Sequence, residues 1–311
     1  MDGHATNPGD LSWDAFREMG EVVVYNRSSA DEVVERACDA DVVLTNKVPF
    51  DEQTIASLPR LRYIGVLATG TNIVDIEAAH RSGVTVTNIP AYSTDSVAQM
   101  VFAHVLNILN STDAYARQVR QGRWAANPDF CFWDAPLREL SSLSMGIVGM
   151  GNIGSKVARI ALAFGMKVNV VSSKDTNQLP QGVCKQTLDE LLATNDIVTL
   201  HCPLTADTRR LVRRETIALM KPSAIVVNTG RGPLVDEQDM ADALRSGRIA
   251  AYATDVMCQE PPQKDNPLFA CVNAYITPHQ AWATYEARVR LMDIAAKNLR
   301  AFLDGKPTNV V

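Results

Sequence analysis

From Glu21 to Asn88 short apolar runs alternate with helix-like stretches: EVVVY, DEVVERAC, DVVLT, DEQTIASL, RYIGVLA, IVDIEAAHRSG and VTVTN. This alternation predicts βαβ units around a parallel sheet, because a strand covered on both faces reads as an unbroken apolar run while its crossover shows helical periodicity. Ser93 or Thr94 then caps a long helix predicted from about Asp95 to Arg120, with Val97, Met100, Val101, His104, Val105 and Ile108 in helical spacing. The next stretch, QGRWAANPDFCFWDAPLREL, has no period and holds two of the four tryptophans. An aromatic arm of this kind needs a surface to bury it, which predicts a homodimer.

A second series follows: SMGIVG, a helix from Ile153 to Phe164 stopped by Gly165, MKVNVV, TLDELLATN, DIVTLHCPL, a helix around Glu215 to Met220, AIVVNTG, EQDMADALRSG and IAAYATDV. It reads as a complete doubly wound domain. The last helix, TYEARVRLMDIAAKNLRAFLDG, stops at Gly305 and Pro307. The fold class is therefore α/β, with two doubly wound parallel-sheet domains.

Composition narrows the partners. The 311 residues are 46% hydrophobic and 21% charged, enough for two cores. A formal net charge of −5 without a compensating Lys/Arg cluster is the wrong footprint for nucleic acid. Cys38, Cys131, Cys184, Cys202, Cys258 and Cys271 form neither a C-x-x-C pair nor a metal-like spacing, so they are expected to be reduced and mostly buried, with no metal site. No apolar stretch approaches the roughly 20 residues that cross a bilayer, and MDGHATNPGDLSWD has neither the basic nor the apolar region of a secretory signal. A cytoplasmic protein without a membrane partner is expected.

The first chemical motif is Gly149-Met150-Gly151-Asn152-Ile153-Gly154, placed directly after an apolar strand and opening a helix. In that context a G-x-G-x-x-G run predicts a Rossmann dinucleotide site: Gly149 allows the tight turn, Gly151 admits the pyrophosphate, and Gly154 lets helix and strand pack closely. The following strand, Lys167 to Val171, should end on an acid for the ribose 2′-hydroxyl, but Ser172-Ser173-Lys174 stands there. Two hydroxyls and an ammonium suit a 2′-phosphate, so NADP is favoured over NAD. Asp175 keeps the other reading open, as the ribose acid of a longer strand.

Arg231 in NTGRG, Glu260 in DVMCQEPP and His279 in ITPHQAW fall at or after predicted strand ends in the second series, the edge where open α/β sheets bind ligands. Reduction of a 2-oxo acid needs an acid to protonate the developing alkoxide and a cation to hold the carboxylate and polarise the carbonyl. A histidine raised and oriented by a carboxylate suits the first task, and the planar donor fork of Arg231 suits the second. Spacing alone does not group the three, and each has a purely structural reading.

Taken together, GMGNIG at 149–154, HCPLT at 201–205, NTGRG at 228–232, DVMCQEPP at 255–262 and TPHQAW at 277–282 resemble the D-isomer-specific 2-hydroxyacid dehydrogenases over nearly the whole chain. ATGTN, IPAYSTDSVAQ and DFCFWDAPLREL look most like its glycerate dehydrogenase or hydroxypyruvate reductase branch. The resemblance implies a small 2-oxo or 2-hydroxy acid substrate, Arg231 as its binder and polariser, Glu260 paired with His279, and His279 as acid/base. It places Asp255 by the nicotinamide carboxamide, adds His201, Pro203 and Thr229 to the cofactor lining, and points to the amides of Thr69 and Gly70 for the substrate carboxylate. The expected division is a flavodoxin-like substrate domain over 1–92 and 280–311 around a dinucleotide-binding domain over 93–279. His80 and His104 are expected in core or interface. Two departures stand out: Thr71 replaces a bulkier aromatic residue, and the chain opens at Met1-Asp2-Gly3, where relatives have a strand before that turn. Either the true start lies upstream or the sheet lacks an inner strand. The competing reading is a dinucleotide-sensing corepressor on the same fold.

Overall fold

Three apolar runs of the first series pair in parallel as β1 (Val42–Thr45), β2 (Tyr63–Val66) and β3 (Thr85–Thr87), in the order β1-β2-β3. The computed structural model describes all 311 residues and divides into two compact units, one of Met1–Ser93 with Trp282–Val311, the other of Thr94–Ala281. Short helices of the first unit are α1 (Gly3–Thr6), α2 (Asp14–Arg17), α3 (Val33–Ala37), α4 (Glu52–Ala56) and α5 (Ile76–Arg81). Asp51 and Asp75 start α4 and α5 by accepting from the amides of Thr54 and Ala78 at 2.8 and 2.9 Å, each satisfying an N–H left over by its helix.

The run at 21–25, expected as a strand, joins no ladder. Its end is tied to α1, where the Tyr25 carbonyl accepts from the Gly3 amide at 2.9 Å, and Val23 is 65% exposed. The neighbourhood of β1 is taken instead by the first residues of the chain: the Met1 ammonium donates to the Leu44 carbonyl at 2.9 Å, and the Asp2 carboxylate accepts from the amides of Asn46 and Lys47. β1 is thus an edge of the sheet, and the three strands follow one another without a reversal.

The second unit contains α6 (Thr94–Asn110), α7 (Thr112–Arg120), β4 (Ser144–Val148), α8 (Asn152–Ala163), β5 (Lys167–Val171), β6 (Val183–Lys185), α9 (Leu188–Thr194), β7 (Ile197–Leu200), α10 (Arg214–Ile217), β8 (Ile225–Asn228), α11 (Glu237–Arg245), β9 (Ala251–Thr254) and β10 (Ala274–Ile276). Its parallel sheet runs β10-β9-β8-β7-β4-β5-β6. The order reverses between β4 and β7, which opens a crevice at the carboxyl ends of those strands. Every residue of β7, β8 and β9 is buried, as strands covered by helices on both faces must be. The long helix expected from Asp95 to Arg120 is two helices, broken at Ser111, which takes φ +47°. The break also divides a helix with a buried face from one with none: α6 buries Val97, Val101 and Val105, whereas no residue of α7 is buried. The edge strands β6 and β10 escaped the apolar pattern because they are short and partly exposed.

The last helix, α12 (Tyr285–Leu303), belongs to the first unit and packs Ala287, Leu291, Ala295 and Leu299 with Tyr63, Leu67 and Ile89. No helix is long and apolar enough to cross a membrane. The six cysteines are free thiols, but they are not mostly buried: Cys38, Cys184 and Cys258 are exposed and only Cys271 is buried. Cys184 lies on the edge strand β6 and Cys258 in the loop after β9, positions an apolar scale does not distinguish from core. His104 is buried, whereas His80 is exposed at the end of α5, where its Nε2 donates to the Val311 carbonyl at 3.1 Å.

Candidate active site

The glycine turn sits between β4 and α8. Gly149 takes φ +98°, and a Cβ there would lie 2.6 Å from the Cys202 amide nitrogen. A Cβ on Gly154 would lie 2.0 Å from the Gly149 carbonyl oxygen, so turn and helix touch backbone to backbone. Gly151 differs: a Cβ there would meet nothing within 4 Å. Its side of the turn is open. The first bond of α8 runs from the Ser155 amide to the Gly151 carbonyl, leaving the amides of Asn152, Ile153 and Gly154 without helical acceptors, and no side chain caps them. No acid occupies the first turn. An open, uncapped, positively polarised helix end with glycine at its approach fits a diphosphate.

Around this turn lie the other candidate cofactor residues. The Thr229 hydroxyl is buried and has no partner, and that of Thr199 pairs with His201 Nε2 at 2.8 Å. Burial pushes the His201 imidazole down to about 4, so it is neutral near pH 7. Pro203 follows in the same strand-end loop, its carbonyl accepting from the Thr208 hydroxyl at 2.7 Å. Beyond β5, Ser172 Oγ accepts from the Lys174 amide at 3.1 Å, which folds Ser172-Ser173-Lys174 into a tight polar turn. Lys185 on β6 places its ammonium 2.8 Å from the Lys174 carbonyl oxygen. This second cation was not legible in the sequence, since only the pairing of β5 with β6 makes the two lysines neighbours. Asp175 starts a turn of its own, with its amide held by Gln178 Oε1 at 3.0 Å.

Glu260 and His279 are joined. His279 Nδ1 lies 2.6 Å from Glu260 Oε2, while Glu260 Oε1 accepts from the Met257 amide at 2.9 Å. Both side chains are about two-thirds buried. His279 holds φ +50°, a left-handed conformation uncommon outside glycine. The buried carboxylate of Asp255 fixes that segment, accepting from the amides of Gln280 and Ala281 at 2.9 and 2.8 Å and from the Thr277 hydroxyl at 2.6 Å. Because the Thr277 proton goes to Asp255, the contact of His104 Nε2 with Thr277 Oγ1 at 3.2 Å is donated by the imidazole. Burial lowers the His104 pKa against the opposing charge of Asp255. Thr277 lies in the TPHQAW motif and His104 on the apolar face of α6, but nothing in the sequence pairs the two.

Arg231 follows β8 and is exposed, its Nη1 bonded only to the adjacent Gly230 carbonyl at 2.8 Å. The turn after it is packed hard on the loop that carries Glu260, for a Cβ on Gly232 would lie 2.0 Å from the Met257 carbonyl carbon. In the first unit, Thr69 and Gly70 form a turn after β2. The Thr69 hydroxyl donates to the Ile89 carbonyl at 2.8 Å and its carbonyl accepts from Asn88 Nδ2 at 2.8 Å, while neither amide of the pair finds an acceptor in the unit. Two adjacent free N–H groups suit a carboxylate.

Comparison with known proteins identifies the family. Residues 102–281 match the sequence model of the D-isomer specific 2-hydroxyacid dehydrogenase NAD binding domain. The chain is 46% identical to a hydroxypyruvate reductase of Blautia hydrogenotrophica, covering 100% of this chain and 98% of that one. It is 39% identical to a glycerate dehydrogenase of Methylorubrum extorquens, covering 90% and 89%. A solved acyclic imino acid reductase in complex with NADPH and D-Arg superposes with a TM-score of 0.84 at 30% identity, covering 97% and 96%.

Proposed function

The chain belongs to the D-isomer-specific 2-hydroxyacid dehydrogenases, oxidoreductases of 2-oxo and 2-hydroxy acids that use a nicotinamide dinucleotide, and from that premise we propose that it interconverts hydroxypyruvate with its D-2-hydroxy acid, or glyoxylate with the achiral glycolate. The dinucleotide, when bound, supplies the hydride for C2 of the oxo acid. His279 donates the proton to the oxygen that becomes the hydroxyl. Its Nδ1 is committed to Glu260, so Nε2 carries the exchangeable proton. Glu260 stabilises the imidazolium and fixes the ring. Arg231 holds the substrate carboxylate and polarises its carbonyl. The free amides of Thr69 and Gly70 suit a carboxylate, and Asp255 would receive the carboxamide of a bound nicotinamide. The Glu260–His279 contact of 2.6 Å is the observation that carries this reading. The corepressor alternative has no support among the relatives, which are named as reductases and dehydrogenases.

Preference for NADP over NAD is the finer reading, supported by the serine hydroxyls, by Lys174 and by the Lys185 ammonium beside it. Assembly as a homodimer is supported by the arm, where Trp124, Phe130 and Trp133 are 52%, 89% and 64% exposed in the single chain. Free exposed thiols suit a reducing cytoplasm. The test of the reaction follows reduced-nicotinamide absorbance with hydroxypyruvate and with glyoxylate, using both cofactors. Oxidation that requires the oxo acid, yielding the D-hydroxy acid from hydroxypyruvate or glycolate from glyoxylate, is the expected result; no oxidation with either acid overturns the assignment.

A further inference from the structure

The loop from Met257 to Asn266 carries Glu260, and its anchoring depends on a carboxylate that none of the motifs contains. Glu237 opens α11, and an acid at such a position ordinarily serves its own helix end. Here Asp236 performs the capping, accepting from the Asp239 amide at 3.0 Å. Glu237 instead turns both oxygens to the loop: Oε1 accepts from the Cys258 amide at 2.7 Å and Oε2 from Asn266 Nδ2 at 2.7 Å. These donors lie on either side of Glu260. Asn266 in turn uses its Oδ1 to accept from the Leu268 amide at 3.1 Å, so its orientation is set and Nδ2 faces Glu237. No lysine or arginine forms an ion pair with Glu237. The groups around it are the Cys258 thiol, the Tyr252 phenol on β9 and the neighbouring Asp236, with Arg209 also facing that thiol. Partial burial of the sulfur in this otherwise exposed residue, and then Glu237, push the Cys258 thiol up to about 12, so it is neutral near pH 7.

We propose that Glu237 is a positioning residue for the Glu260–His279 pair, a carboxylate that clamps both ends of the loop and thereby fixes where Glu260 meets the imidazole. The proposal rests on the acid/base reading given above. Loop and pair are continuous: Cys258, held by Glu237, follows Met257, whose amide holds Glu260 Oε1, and Glu260 Oε2 meets His279 Nδ1. Releasing the clamp lets the loop shift, and a misplaced carboxylate stabilises the imidazolium less.

Glu237→Gln keeps the shape but sets an amide N–H₂ or a turned carbonyl against two donors, so one contact must fail. Glu237→Gln/Asn266→Asp restores it, because the introduced carboxylate accepts from the glutamine while still accepting from the Leu268 amide. Both variants, Glu260→Gln and the Glu237→Gln/Glu260→Gln combination are assayed for oxo-acid reduction across pH, and the His279 imidazole is titrated by NMR. Glu237→Gln should lower kcat by about ten-fold, leave KM for the cofactor and Tm close to parent, and move the imidazole titration to lower pH in the direction produced by Glu260→Gln. It should add nothing in the Glu260→Gln background, where a through-space charge effect would persist, and Glu237→Gln/Asn266→Asp should recover most of the loss. An unmoved titration, or losses that add fully to Glu260→Gln, overturns the proposal. If Glu237→Gln alone folds poorly, its combination with Asn266→Asp and the titration of that folded form decide the question. A parent enzyme that reduces no oxo acid defeats the functional reading instead, while the NMR titration still reports whether Glu237 governs the pair.

Discussion

His279 is held in a left-handed backbone conformation by the segment after it, where the buried Asp255 carboxylate accepts from the amides of Gln280 and Ala281. The loop after β9 places Glu260 on Nδ1, and Nε2 is the nitrogen proposed to serve the substrate. Replacing Glu260 by glutamine keeps the volume and removes the charge, so the imidazolium loses its stabilising partner. Reduction uses the protonated ring and fails once it is lost; the alkaline limb of kcat/KM for reduction should therefore move to lower pH in Glu260→Gln, and an unmoved limb would separate the two residues functionally. At the other end of the site, Ser172→Asp introduces a carboxylate that accepts from ribose hydroxyls and repels a 2′-phosphate. The parent should show a higher kcat/KM with NADPH than with NADH, and the variant should reverse that order. A parent ratio below one contradicts the NADP preference.

At the level of elements, the glycine turn makes two opposite demands within four residues. Gly154→Ala pushes a Cβ to 2.0 Å from a backbone carbonyl that cannot move aside, whereas Gly151→Ala meets no protein atom within 4 Å. The first should lower Tm by several degrees, on the scale of about 1–3 kcal/mol for overpacking. The second should leave Tm unchanged and weaken dinucleotide binding, which thermal melts and fluorescence titration of the cofactor separate; equal melting losses in both would remove the distinction. Much of this was legible in sequence, because β4, the turn and α8 are local and continuous. So were the strands whose apolar runs are buried on both faces. Other features lie in pairings that no local pattern encodes. The run at 21–25 has strand composition but no ladder beside it. Ser111 breaks a helix whose polar and apolar periodicity reads straight through it. Lys185 reaches Lys174 only through the register of β5 and β6, and Glu237 reaches the loop after β9 across 21 and 29 residues of chain.

For the molecule as a whole, the proposed dimer rests on the exposed arm. Trp124 Nε1 donates to the Phe130 carbonyl at 2.8 Å, and Arg123 forms an ion pair with Asp134 while lying over the Phe132 ring, so the arm is ordered by its own contacts and presents its aromatic side chains outward. Surface of that kind is stable in water when a second copy covers it. Light scattering at micromolar concentration should give twice the mass of the 33.9 kDa chain, and Phe130→Ser/Trp133→Ser should shift it toward one; a monomeric parent contradicts the dimer. The proposed reaction stands or falls, however, on the proton supplied by His279. The most direct measurement compares kcat for hydroxypyruvate reduction by the parent and by His279→Ala, with cofactor affinity determined on the same preparations. A loss of about 100-fold or more with the affinity unchanged is the predicted result, and a variant within a few-fold of the parent would contradict it.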